Sequence, residues 1–185
     1  MTELPLALLD SSVLIPEWSR IVLQNLASGS APRFVGFWSS AIVAETWRIL
    51  TIKRMSAGSS ISALSNDAFT MWSKLDPVLR IAGASHRPSD APPSPLRDRH
   101  DEHLWNAALN AGAQYVVSHN TRHFPPAITI TSSSGEGEGK VVRHIAHGIE
   151  FVTAIEFIED VLGEDAVALY NQPLPPGIVR SRRSR

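Results

Sequence analysis

No cysteine occurs among the 185 residues of the chain. Its absence excludes disulfides, thiolate metal sites and cysteine nucleophiles, and it accords with a reducing cytoplasm as the expected location. Any metal must be held by oxygen or imidazole. Long apolar runs are missing too: no stretch approaches the roughly 20 residues that span a bilayer, so no membrane association is expected. The opening "MTELPLALLD" lacks the basic start of a secretory leader and runs directly into a strand-like segment, so export is not expected. An excess of either charge is also absent. With a net charge of −1, attraction to a polyanion must come from local patches. One such patch is the ending "GIVRSRRSR", in which Arg180, Arg182, Arg183 and Arg185 follow a proline-rich stretch. Residues 173–185 are therefore expected to be a flexible tail on a single domain spanning 1–172. No GxSxG elbow surrounds Ser118 and no HExxH is present, which removes the usual serine-hydrolase and zinc-peptidase patterns.

What the chain does have is an alternation of strand and helix signals. "LPLALLD" reads as a buried strand ending at Asp10, and "SSVLIPEWSRIVLQNLASG" as a helix through Trp18, Ile21, Val22, Asn25 and Leu26, closing at Gly29. "PRFVGFWSS" predicts a second strand, after which Ser39 or Ser40 can cap the helix "AIVAETWRILTIKRM". Ile42, Val43, Thr46, Trp47 and Leu50 fall on or near one face of that helix. A further helix is predicted over about Asn66–Leu79, then a strand in "LRIAGA" and a proline-rich loop, "SHRPSDAPPSPLRD". "DEHLWNAALNAGA" is strongly periodic and ends at Gly112, and "QYVVS" follows as a core strand. "TSSSGEGEGK" is predicted to be a flexible excursion, and "GIEFVTAIEFIEDVLG" a last strand and last helix. The alternation implies a mostly parallel sheet covered on both faces, an α/β/α architecture with its site at the strand carboxyl ends.

Polar residues collect where that architecture places a site. Asp10 ends an apolar strand, where a carboxylate is costly unless it is paired, caps a helix or coordinates a cation. Glu45 sits among Ile42, Val43, Thr46 and Trp47, at the edge of an apolar stripe or projected inward as a ligand. Asp98 and Asp101 precede the Leu104 helix, whose dipole alone would favour acids there. "SHNTRHF" ends the later strand in Ser118, His119, Asn120, Thr121, Arg122 and His123, without one carboxylate. The histidine pairs His100/His103, His119/His123 and His144/His147 have ligand-like spacings, which seven histidines produce by chance. The five tryptophans fall mostly at helical core spacings and are expected to pack inward.

Taken in order, "LLDSSVLI", "SSAIVAETWRIL", "DRHDEHLWNAALNAGAQYVVSHNTRHF" and "GIEFVTAIEFIEDVL" resemble the PIN-domain nucleases over most of the chain. The resemblance implies a single three-layer PIN-like domain that hydrolyses RNA phosphodiesters with Mg²⁺ or Mn²⁺. It gives Asp10, Glu45 and Asp101 the primary acidic positions, with Asp98 as a further metal ligand and Asn120 in support. Crowded carboxylates repel one another, so a hard divalent cation is their natural partner. Ser12 and Ser118 would orient carboxylates, and Arg99, Arg122 and His123 would hold substrate phosphates. Many small bacterial members of the family are VapC-type toxins, so a protein antitoxin is an expected partner beside RNA, and a homodimer is compatible with the pattern. The family's fourth acid falls at Asn120 or three residues later at His123, and this chain has an acid at neither. The alternative function is therefore a PIN-fold module that binds RNA or protein with weak or no catalysis.

Overall fold

The computed structural model describes residues 3–28, 30–58, 60, 73, 75, 76, 78–83, 87–134 and 137–172. Most of the predicted helix over 66–79, the predicted stop at Gly29 and the tail 173–185 lie outside them.

The middle strand of the parallel part of the sheet is β1 (Leu6–Leu9), whose Ala7 and Leu8 are wholly buried. It has parallel neighbours on both sides, β2 (Val35–Trp38) and β4 (Tyr115–Val117). Beyond β2 lies parallel β3 (Leu79–Ile81), and beyond β4 lies parallel β7 (Ile149–Val152). Such strands, apolar on both faces, need helices above and below. Two further strands, β5 (Ile128–Ser134) and β6 (Gly137–Ala146), extend the sheet antiparallel past β7, giving the order β3-β2-β1-β4-β7-β6-β5. This corrects the expected flexible excursion: of "TSSSGEGEGK", residues 131–134 and 137–140 pair in β5 and β6. Backbone pairing along seven residue pairs, from Ile128↔Arg143 to Ser134↔Gly137, supplies the order that the Gly and Ser side chains do not. A tight turn with positive φ at His147 and Gly148 joins β6 to β7, the twist that a two-residue hairpin requires.

The segment after β1 is split where one helix was predicted. Pro16 separates a short α1 (Ser11–Leu14) from α2 (Glu17–Ala27) and serves as the N-cap of α2. Ser39, not Ser40, caps α3 (Ser40–Ser56) by accepting from the Ile42 amide. Only Ile42 and Thr46 of α3 are buried, and Trp47, expected to pack inward, is 44% exposed. Trp38 and Trp105 are core residues as expected. A 3₁₀ turn (Arg99–Asp101) leads into α4 (Glu102–Ala111), which ends at Gly112 in the left-handed conformation (φ 60°). After β7, α5 (Ala154–Glu156) starts with a Thr153/Glu156 capping box and continues as a π-helical turn, Phe157–Val161. The predicted last helix is not the last. A further one, α6 (Ala166–Asn171), is capped by Asp165, which accepts from the Ala168 amide.

Candidate active site

Asp10 follows β1 and is 4% exposed, yet its side chain makes no capping hydrogen bond to α1. Its Oδ2 instead accepts from two hydroxyls, Ser12 Oγ at 2.6 Å and Ser118 Oγ at 2.7 Å. Each hydroxyl has one hydrogen, and both are directed to the carboxylate, so the 3.1 Å approach between the two serine oxygens is a contact of acceptors. Those oxygens accept in turn from backbone amides: His119 N donates to Ser12 and Asn120 N to Ser118. Two amides, two hydroxyls and one carboxylate oxygen thus form a closed set joining the ends of β1 and β4.

Glu45 enters from α3, which packs against both α1 and α4. Its Oε2 accepts from Ser11 Oγ at 3.0 Å, so consecutive serines address the two acids. On the other side of Glu45 stands His103 of α4, with Nε2 3.8 Å from Oε2. Asp98 caps the 3₁₀ turn by accepting from the His100 amide at 2.9 Å. Asp101 makes no cap bond; its Oδ2 lies 2.6 Å from His123 Nδ1, while Asp98 Oδ2 is 3.7 Å from the same nitrogen. Asn120 Nδ2 also lies 2.9 Å from His123 Nδ1. One ring nitrogen cannot donate to Asp101 and accept from Asn120 at once. A carboxylate only accepts, so the proton belongs on Nδ1, and the Asn120 amide turns its oxygen toward the ring.

Asp101, Ser118, Asn120 and His123 line one small cleft with Leu104 and Phe124. Among the described residues, Asp98, Asp101 and His123 form a group whose ligand atoms all lie within 4.8 Å of one another, close enough to share a cation. Asp10 and Glu45 stand outside that group; Asp10 reaches it along hydrogen bonds through Ser118 and Asn120, while Glu45 is bonded to Ser11. Arg99 and Arg122 are exposed, one on each of the two 3₁₀ turns beside the cleft. Ser11, His103 and His119 were not singled out by the sequence as site residues. The ring of His119 packs against Trp18 with centroids 5.7 Å apart, and burial pushes its pKa below the ordinary value, with Asp10 opposing. The other histidine pair is structural: His144 bonds the Pro125 carbonyl, and His147 lies beside Trp105.

Carboxylates collected beside a small cleft at the ends of parallel strands put the protein in the class of nuclease-type α/β domains. More particularly, a PIN-domain family model matches residues 7–122, well over half of the chain, and the chain belongs to the PIN-domain family. No curated protein and no solved structure matches it. Among the described residues, no helix is long and apolar enough to cross a membrane.

Proposed function

We propose that the protein is a Mg²⁺- or Mn²⁺-dependent endoribonuclease, with Asp10, Glu45 and Asp101 as primary metal ligands and Asp98 and Asn120 supporting them. The observation that carries this reading is the continuous path from Asp10 through Ser118 and Asn120 to His123 and Asp101, which ties acids from distant parts of the chain to one cleft. The donor set suits a divalent cation: four carboxylates, an amide oxygen and imidazole. A bound cation would supply charge stabilisation at the scissile phosphate and activation of water. The protein's part is positional. Ser12 and Ser118 fix Oδ2 of Asp10 and leave Oδ1 available, Ser11 steadies Glu45, and His123 holds Asp101. Arg99 and Arg122 on the flanking turns would bind the backbone of a single-stranded substrate by charge.

Within the same reading the protein is the toxin of a toxin–antitoxin pair, inhibited by a partner protein. Family membership supports that role, and rescue of growth by a co-expressed neighbouring small reading frame tests it. A second reading, an RNA- or protein-binding module without catalysis, is favoured by one observation: Asp101 already receives a 2.6 Å hydrogen bond from the histidine at one of the two fourth-acid positions. Incubating a mixed RNA pool with Mn²⁺, Mg²⁺ or EDTA separates the two. Cleavage that needs the ion supports the nuclease; binding without cleavage under every condition supports the module.

A further inference from the structure

We infer that His103 is a metal ligand paired with Glu45, and that this imidazole makes the centre select a first-row transition ion over Mg²⁺. The inference rests on the metal-dependent reading above and assigns it a ligand that the acidic pattern does not contain.

The argument begins with a tautomer. His103 Nδ1 lies 2.8 Å from the backbone carbonyl of His100. A carbonyl can only accept, so Nδ1 carries the proton and the neutral ring presents a lone pair at Nε2. That Nε2 is buried and has no hydrogen-bond partner. The charged group facing it is Glu45 Oε2 at 3.8 Å, beyond hydrogen-bonding range. A buried lone pair opposite a carboxylate is an unfavourable arrangement unless a positive species lies between them.

A divalent ion satisfies both groups. Two ligand atoms each about 2.1 Å from one ion can stand at most about 4.2 Å apart, and the observed 3.8 Å falls inside that limit. A ring N–H donated to a backbone carbonyl is also how metal-binding imidazoles are usually oriented. Glu45 is held for the same task, because Ser11 Oγ occupies one lone pair of Oε2 and leaves the other free. The preference among ions follows from ligand chemistry. Mg²⁺ favours oxygen ligands and retains its water, whereas first-row transition ions bind imidazole nitrogen more strongly, with affinity rising from Mn²⁺ to the later members of the series.

The test uses the full chain without substrate. Mn²⁺ and Mg²⁺ are titrated by calorimetry into wild type, His103→Gln and Glu45→Gln, and Mn²⁺ is examined by pulsed electron paramagnetic resonance for coupling to nitrogen. His123→Asn removes the competing imidazole, and a circular-dichroism melt checks that each variant folds. Wild type should bind Mn²⁺ more tightly than Mg²⁺. His103→Gln should lose at least about ten-fold in Mn²⁺ affinity while its weaker Mg²⁺ affinity changes little. Nitrogen coupling should persist in His123→Asn and vanish when His103 is also replaced. Should His103→Gln bind Mn²⁺ as wild type does while Asp10→Asn does not, His103 is only an ion-pair partner of Glu45, and the nuclease reading survives alone. Nitrogen coupling abolished by His123→Asn alone likewise overturns the inference. No binding of either ion by wild type removes both readings.

Discussion

Ser118→Ala tests whether the two-serine cradle holds Asp10. Ser118 is 3% exposed and donates at 2.7 Å to a carboxylate that is itself 4% exposed. A hydrogen bond to a charged group is worth about 1.5–3 kcal/mol. Removing the hydroxyl also takes the acceptor from the Asn120 amide, which is half-buried and can recruit water, adding about 0.5–1 kcal/mol. Alanine is nearly isosteric with serine, so no cavity contribution enters. The expected loss is about 2–4 kcal/mol, or roughly 5–15 °C in Tm for a domain of this size. Urea denaturation should show the lower midpoint with an unchanged slope. Repeating the substitution in an Asp10→Asn background should roughly halve the cost, because the lost bond then joins neutral groups. A loss below about 0.5 kcal/mol, or an equal loss in both backgrounds, would refute the idea that the hydroxyl stabilises an ionised Asp10.

Asp10→Asn and Asp101→Asn should each abolish cleavage while the chain still melts cooperatively; wild-type cutting by both would remove the metal-site assignment. For the missing fourth acid, calorimetry with Mn²⁺ should show tighter binding in Asn120→Asp if Asn120 holds that position, or in His123→Asp if His123 does. If neither helps and Asp98→Asn is the damaging change, Asp98 completes the site. His119 gives a pH effect. Its folded pKa lies below the ordinary 6.5, so its stabilising share is whole above that value and is lost as pH falls below it toward the folded value. His119→Phe keeps a ring against Trp18 and should lower Tm less than wild type does between about pH 7.5 and 5; parallel curves would contradict the buried-histidine account. Gly112→Ala should cost about 1 kcal/mol by urea titration, through backbone strain alone, since an added Cβ meets no atom within 4 Å.

The parallel part of the fold was legible because each piece carried its own local signal. The apolar run before Asp10, the Ser39 cap and the Gly112 stop all act within a few residues, and each falls where it was expected. The β5/β6 hairpin was missed because the Gly and Ser rich run reads as a loop and masks the strand formers that flank it, Ile128–Thr131 and Val141–Val142. Pro16 was visible, but the helical spacing on either side of it concealed a break. In the site, a carboxylate at the end of an apolar strand pointed to Asp10, and "SSVL" contained its neighbours. His103 was hidden for a different reason. Its Nδ1 bond to a carbonyl three residues earlier and its approach to Glu45 across 58 positions exist only once α3 and α4 pack. One of seven histidines cannot be distinguished by residue type alone.

The contact between Asp10 and Ser118 closes a loop of 108 residues. The entropy of that closure must be offset by β4 pairing on β1 before the hydroxyl reaches the acid. On a ribosome, which releases the chain from its N-terminus, Asp10 emerges early and remains without its β4 partner until the sequence through Ser118 is also free. The candidate site therefore cannot assemble piecemeal. Completion of the Asp10 cradle is timed by the emergence of β4.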